Sequence, residues 1–339
     1  MGAYYDFIME SSSGSFSDVF SFTWRQKLSE LNFECTNAMQ LRIGNQLRPK
    51  LSCWGAAIGV QCINDIDVAR IAETAAYVEM LHKASIIIDD MIDRDTARHG
   101  QHTFHIQYGT DTAIIFSLLL IAKGMEGINR LFNDKSYLCD GVGLFANTIC
   151  KMAKGGLREL ELNQTTQYDL HAIREIIDFE TVSLIKNSLL IGYWTSKNVI
   201  TQVGETIERI GKNSGYIFQI FNDLEPFSCI DKNALYKGGS NIDLNRNRKN
   251  IVAAYIYGAA SQSEKRRMKN LFGDEQQSYL LSLYRKYSIL EIILNECNVL
   301  ENDIKDQIKY LAPYCTPLCL DDFLLFVEKM ISICHSKLW

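Results

Sequence analysis

The chain has 339 residues, 47% of them hydrophobic and 22% charged, and a formal net charge of −5. That length and apolar content suffice to bury a large core, while a net acidic chain gives a nucleic-acid partner no electrostatic support. Ten scattered cysteines without a CxxC pair exclude zinc-ribbon and thioredoxin-like readings and are expected as reduced core residues.

In chain order, residues 1–20, with SSSGS at 11–15, predict a flexible leader, and 21–339 a single helical domain. The acidic, aromatic start lacks the basic-then-apolar order of a secretory signal. Only four prolines occur, and none lies between 49 and 226. Over 71–92, Ile71, Ala75, Val78, Leu81, Ser85, Ile88 and Ile92 recur at steps of three and four, which predicts a helix with a core-facing stripe. AIIFSLLLIA at 113–122 is too short to span a bilayer and is expected as a buried helix. The same helical spacing recurs over 173–194, 203–225, 249–260 and 277–294, and 236–250 is one long polar loop. Strand-like alternation is not evident. These patterns predict an all-α, single-domain bundle of roughly ten or more long helices, not membrane-spanning, in the cytoplasm.

The helix over 71–92 runs into IIIDDMIDRDTARHG at 86–100. At i,i+4 spacing Asp89 and Asp93 share a helix face, with Asp90 beside them. Like charges repel there, and a helix C-terminus disfavours anions. These acids interrupt a core-facing stripe, so a solvated face is a strained explanation. Oxygen-only ligands suit magnesium, which binds through one or two carboxylates plus substrate phosphates. Arg98 could grip the same phosphate. A zinc site at His99, His102 and His105 is disfavoured for want of a fourth ligand.

The segment LHKASIIIDDMIDRDTARHGQHTFHIQYG (81–109) resembles the first aspartate-rich motif, DDxxD, of the trans-isoprenyl diphosphate synthases, the polyprenyl synthase family. GNQLRP (44–49) is similar to that family's GKRLRP turn, and FQIFNDLEP (218–226) falls where it has FQ and a second DDxxD. IDLNRNRKN (242–250) resembles its D-L-x-x-G-K-x-T loop. The resemblance implies the class I terpenoid synthase fold, a helical bundle around a central cavity, and a homodimer. It also implies a prenyltransferase that uses two or three magnesium ions and an allylic prenyl diphosphate, with isopentenyl diphosphate as acceptor. Carried over, Asp89 and Asp93 hold metal with Asp90 assisting, and Asn222 and Asp223 hold metal on the facing helix. Arg98 contacts the allylic diphosphate, Arg48 and His82 contact isopentenyl diphosphate, and Gln219 and Thr181 line the site.

The departures lie at polar, substrate-facing positions. Asn45 stands where the family has lysine, and His99 replaces the second residue of its basic pair. Glu180-Thr181 replaces Lys-Thr, Asn222 opens the degenerate second aspartate motif, and Arg248 and Asn250 replace Lys and Thr. These losses weaken the acceptor's phosphate site. Elongation to a C20 or longer prenyl diphosphate is the leading expectation. A terpene cyclase, or prenyl transfer to another acceptor, is the alternative. A non-catalytic subunit of a heteromeric synthase is the third. Small Ala84 and Ser85, one turn before the motif, predict a pocket admitting a tail longer than farnesyl, with Phe116 as an alternative floor. His99, beside diphosphate, is expected to have a raised pKa.

Overall fold

The computed structural model describes residues 2–10, 14–38, 41–133, 140–196, 199–227, 249–271 and 273–336. Arg248 and most of the 236–250 loop lie outside them. The helices are α1 (Ala3–Met9), α2 (Phe16–Ser29), α3 (Leu47–Ile58), α4 (Val68–Ile92), α5 (Phe104–Tyr108), α6 (Thr110–Phe132) and α7 (Gly141–Asn163). Then come α8 (Leu170–Ile177), a π-helical turn over Asp178–Val182, α9 (Ser183–Trp194) and α10 (Thr201–Leu224). The chain closes with α11 (Ile251–Ala259), α12 (Gln262–Asn270), α13 (Gly273–Lys286), α14 (Ile289–Tyr310) and α15 (Pro317–Ser336).

The all-α expectation holds. The exception among the described residues is a hairpin in which β1 (Ala97–Arg98) pairs antiparallel with β2 (Gln101–His102). It is too short for strand alternation to register. No helix of the described residues is long and apolar enough to cross a membrane.

α4 is central, packed against α2, α3 and α6, and α9 packs on α3, α7 and α10. The α3–α9 crossing brings backbones together: a Cβ on Gly55 would meet the Leu189 carbonyl, and one on Gly192 the Ser52 carbonyl. The Ser52 hydroxyl donates to the Ser188 carbonyl at 3.0 Å across that seam. Helices this close leave little freedom to slide.

Three expectations need correction. Residues 1–20 are not simply a leader: Tyr4, Tyr5 and Ile8 of α1 are buried, as are Phe16 and Phe20 of α2. Asp322 Oδ2 accepts from the Tyr4 and Tyr5 amides at 3.0 and 3.2 Å, satisfying donors at the start of α1. The helix over 113–122 is buried on one face only, since Ile115 is 66% exposed and Leu118 59%. The segment 277–294 is two helices, broken at Ser288, whose φ is +47°.

Candidate functional site

Asp67 starts α4 by accepting from the Arg70 amide at 3.1 Å. Twenty-five residues later α4 ends with Asp93 as its C-cap. The chain reverses through Arg94 (φ +56°) into the hairpin, whose turn residues His99 and Gly100 have φ of +51° and +71°. Positive φ at both central positions suits the right-handed twist of a two-residue hairpin turn.

The hairpin folds Arg98 back onto the end of α4. Its Nη2 lies 2.6 Å from Asp90 Oδ1 and 3.6 Å from Asp89 Oδ2, and its Nε donates to Asp90 Oδ1 at 2.8 Å. The three acids therefore differ in surroundings. Asp89 has a half-exposed side chain, Asp93 is buried, and Asp90 is fully buried under Arg98. Burial pushes the Asp90 carboxyl up to about 6, against the Arg98 charge, with Asp89 and Asp95 adding to the rise. Asp90 is placed to hold Arg98.

Across the channel the π-helical turn presents Thr181, whose hydroxyl donates to Gln219 Oε1 at 2.7 Å. Gln219 Nε2 donates to Asp223 Oδ1 at 2.8 Å, and the Ile251 amide at the start of α11 donates to Asp223 Oδ2 at 3.0 Å. Asn250 caps α11, accepting from the Ala253 amide at 2.9 Å. Asn222 lies half-buried beside Asp223, and α10 stops at Leu224, two residues before Pro226. Phe221 and Phe227 are core residues, and the Tyr216 hydroxyl donates to the Arg174 carbonyl.

Glu180 joins this wall. Burial pushes its carboxyl up to about 9, helped by Glu159 on α7, Asp89 on α4 and Asp223 on α10. Acids from separate elements thus converge on one space.

The basic residues gather on the other side. Burial, followed by Arg48, Lys83 and Arg98, holds His82 well below the usual histidine range. Burial first, and then the Arg98 and Lys83 charges, lower His99 from its ordinary value. Lys83 is buried, 3.3 Å from Glu79, and donates to the Arg42 carbonyl at 3.1 Å. Asn45 is exposed and accepts from the Leu47 amide at 3.2 Å.

Among the described residues no three His, Cys, Asp or Glu side chains form a ready-made ion site. The acids nevertheless fit hard cations: they are oxygen-only, come from α4 and α10, and both add to the rise that burial gives a neighbouring carboxyl. A diphosphate could supply the remaining oxygens.

Below the acids, α4, α7 and α9 enclose a narrow cavity lined by Val78, Leu81, Phe145, Thr148, Asn187 and Ile191, among others. Ala84 is fully buried on α4, and the Ser85 hydroxyl donates to the His82 carbonyl at 2.8 Å. Phe116 stacks on Phe104 with ring centroids 5.2 Å apart and is not among the residues lining this cavity. Sequence reasoning missed Glu159, Thr148 and Asn187. For Asn187 a signal existed, a carboxamide inside the apolar spacing of 173–194.

Residues 32–286 match the family described as Polyprenyl synthetase. The short chain isoprenyl diphosphate synthase of Methanocaldococcus jannaschii is 23% identical over 273 residues, 80% of this chain and 73% of the relative. The geranylgeranyl diphosphate synthase of Saccharolobus solfataricus is 24% identical over 271 residues, 73% of this chain and 80% of the relative. The crystal structure of geranylgeranyl pyrophosphate synthetase from Pyrococcus horikoshii superposes with a TM-score of 0.76 at 20% identity, covering 93% of this chain and 97% of that one.

Proposed function

For a chain that belongs to the polyprenyl synthetase family, and is therefore a prenyltransferase of the isoprenyl diphosphate synthase kind, we propose elongation of an allylic prenyl diphosphate by isopentenyl diphosphate. The observation that carries this reading is the opposition of Asp89 on α4 to Asp223 on α10, with Glu180 raised between them. Asp89 and Asp93, with Asp223 and Asn222 opposite, would hold magnesium, which when bound screens the diphosphate and eases its departure. Arg98, braced by Asp90, faces the allylic diphosphate. Arg48 and His82 receive the acceptor's diphosphate, assisted by Lys83. The allylic C–O bond breaks, the acceptor's alkene carbon bonds to the allylic carbon, and a proton is lost. Gln219, held between Thr181 and Asp223, keeps that carboxylate in place.

Two copies of the chain would pair through the outer face of α6 and α7. These antiparallel neighbours expose Ile115 and Leu118 beside Leu157 and Leu160. Light scattering on wild type and Leu118→Lys tests this: a dimer that the lysine does not weaken would refute the assignment.

Incubation with magnesium, farnesyl diphosphate and labelled isopentenyl diphosphate tests the activity. A longer labelled prenyl diphosphate supports elongation. Release of a hydrocarbon or alcohol without isopentenyl diphosphate would replace this reading with a cyclase.

A further inference from the structure

The cavity between α4, α7 and α9 is apolar except at its wall of Thr148, Asn187 and Ser188. Ser188 is locally satisfied, its hydroxyl donating to the Leu184 carbonyl at 2.6 Å. Thr148 and Asn187 join α7 to α9: Asn187 Nδ2 donates to Thr148 Oγ1 at 2.7 Å, and that hydroxyl donates to the Leu144 carbonyl at 2.7 Å. With its proton committed to Leu144, Thr148 can only accept from Asn187, which fixes the amide's orientation. Asn187 Oδ1 is left buried with no hydrogen-bond partner among the described residues, although Asn187 is only 8% exposed. The cavity beside it measures about 10 Å³, room for one water.

The depth is informative. Leu81 and Val78 line the cavity eight and eleven residues before Asp89. At the helical rise that is about 12 Å and about 16 Å down α4 from the acids. A farnesyl tail anchored at Asp89 spans about that distance. Small, buried Ala84 lies between that level and Asp89 along α4.

We infer that Asn187 and Thr148 form a polar crossbar that ends the prenyl-tail channel and sets which chain lengths the protein accepts. An alkyl end that reaches Asn187 Oδ1 fills the space beside that buried carbonyl and offers it no donor, which is unfavourable. The crossbar is also covalently anchored on two packed helices, so it is not pushed aside by a flexible tail. On this basis farnesyl diphosphate is the longest allylic substrate that fits without distortion, and one addition gives a geranylgeranyl product.

This inference rests on the prenyltransferase reading, and its test separates the two. Unreactive thiolo-diphosphate analogues with geranyl, farnesyl and geranylgeranyl tails are bound in the presence of magnesium to wild type, Asn187→Ala, Thr148→Ala and Asn187→Leu, and followed by calorimetry. Wild type should bind the geranylgeranyl analogue about tenfold more weakly than the farnesyl one. Either alanine variant should close most of that gap, and Asn187→Leu, which keeps the bulk, should not. Products made with isopentenyl diphosphate should lengthen by at least one isoprene unit in the alanine variants. Thr148→Ala carries the test if Asn187→Ala does not fold. An unchanged length preference in a folded alanine variant, or none in wild type, overturns the crossbar. Binding that follows the expected pattern without elongation would refute the elongation reading alone.

Discussion

The two sides of the channel mouth are built differently. On the acidic side, burial raises Glu180 on the π-helical turn, and Glu159, Asp89 and Asp223 from α7, α4 and α10 add to the rise. On the basic side, burial lowers His82 and His99, and Arg48, Lys83 and Arg98 add to the fall of the first and Arg98 and Lys83 to that of the second. Each side gathers its own sign, with Lys83 also paired to Glu79, and the Arg98–Asp90 pair at the end of α4 joins opposite charges between them. Folding alone gives no reason to collect like charges twice over. On the proposed function, a ligand carrying cations on one flank and phosphate on the other would relieve both clusters.

Breaking the acidic side should have the largest effect. Asp89→Ala is expected to lower kcat by about a thousandfold or more, some 4 kcal/mol of transition-state stabilisation. The half-exposed Asp89 repels Asp90 and Glu180 and keeps only a 3.6 Å contact with Arg98, so thermal stability without metal should hold. Steady-state rates and circular dichroism check both halves, and near-normal turnover would end the metal-holding role.

Next in size is the junction. Asp90→Ala leaves Arg98 without its buried carboxylate and should cost about 3 kcal/mol in chemical denaturation. A loss below about 0.5 kcal/mol, the range of ordinary surface substitutions, would show that Arg98 finds another anion.

The basic side follows. Arg48→Ala should raise KM for isopentenyl diphosphate by about tenfold or more while leaving KM for the allylic substrate nearly unchanged. Equal changes in both constants would place Arg48 outside the acceptor site. Asn45→Lys should lower the same KM, because it returns a cation to an exposed position in the turn beside Arg48.

The smallest effect is a pH dependence. The Glu180 carboxyl titrates near 9 in the fold against about 4.5 when unfolded. Between those limits the unfolded chain releases its proton and the folded one keeps it, so stability falls as pH rises. Glu180→Gln removes that slope. Allowing for partial exposure, it should stabilise the protein by about 1–2 kcal/mol at pH 8 and by little at pH 4.5. Melting curves at both pH values decide, and a less stable glutamine variant at pH 8 would mean that the acid is ionised and paired.

Much of this was legible in the residues. The spacing from Ile71 to Ile92 located α4 to within a few positions, but not its faces: residues 74–81 are buried all round this central helix, and Ile92 at its end is exposed. The motif order also singled out Gln219 and Thr181, which meet through a hydrogen bond. The pairing of Arg98 with Asp90 was not legible, since it depends on a hairpin two residues per strand. Nor was α1, whose first amides are satisfied by Asp322, more than 300 residues away. The break at Ser288 carries no glycine or proline, so local chemistry gave no warning. Asn187 stood in plain view, but its meaning depends on a partner from another helix.

The π-helical turn over Asp178–Val182 closes with the Ser183 amide donating to the Asp178 carbonyl, one residue further back than in an α-helix. It amounts to a single-residue insertion absorbed without a loop. Residues before it keep one angular setting and those after it another, offset by about 100° of helix rotation. Thr181 therefore meets Gln219 and Glu180 meets the acids of α4, α7 and α10 while Asn187 still lines the apolar cavity. Deleting one residue from the turn would restore a regular helix and swing one of these sets away from the channel. On the proposed function, the head group and the tail of the substrate would be read by two stretches of one rod whose phases are set independently.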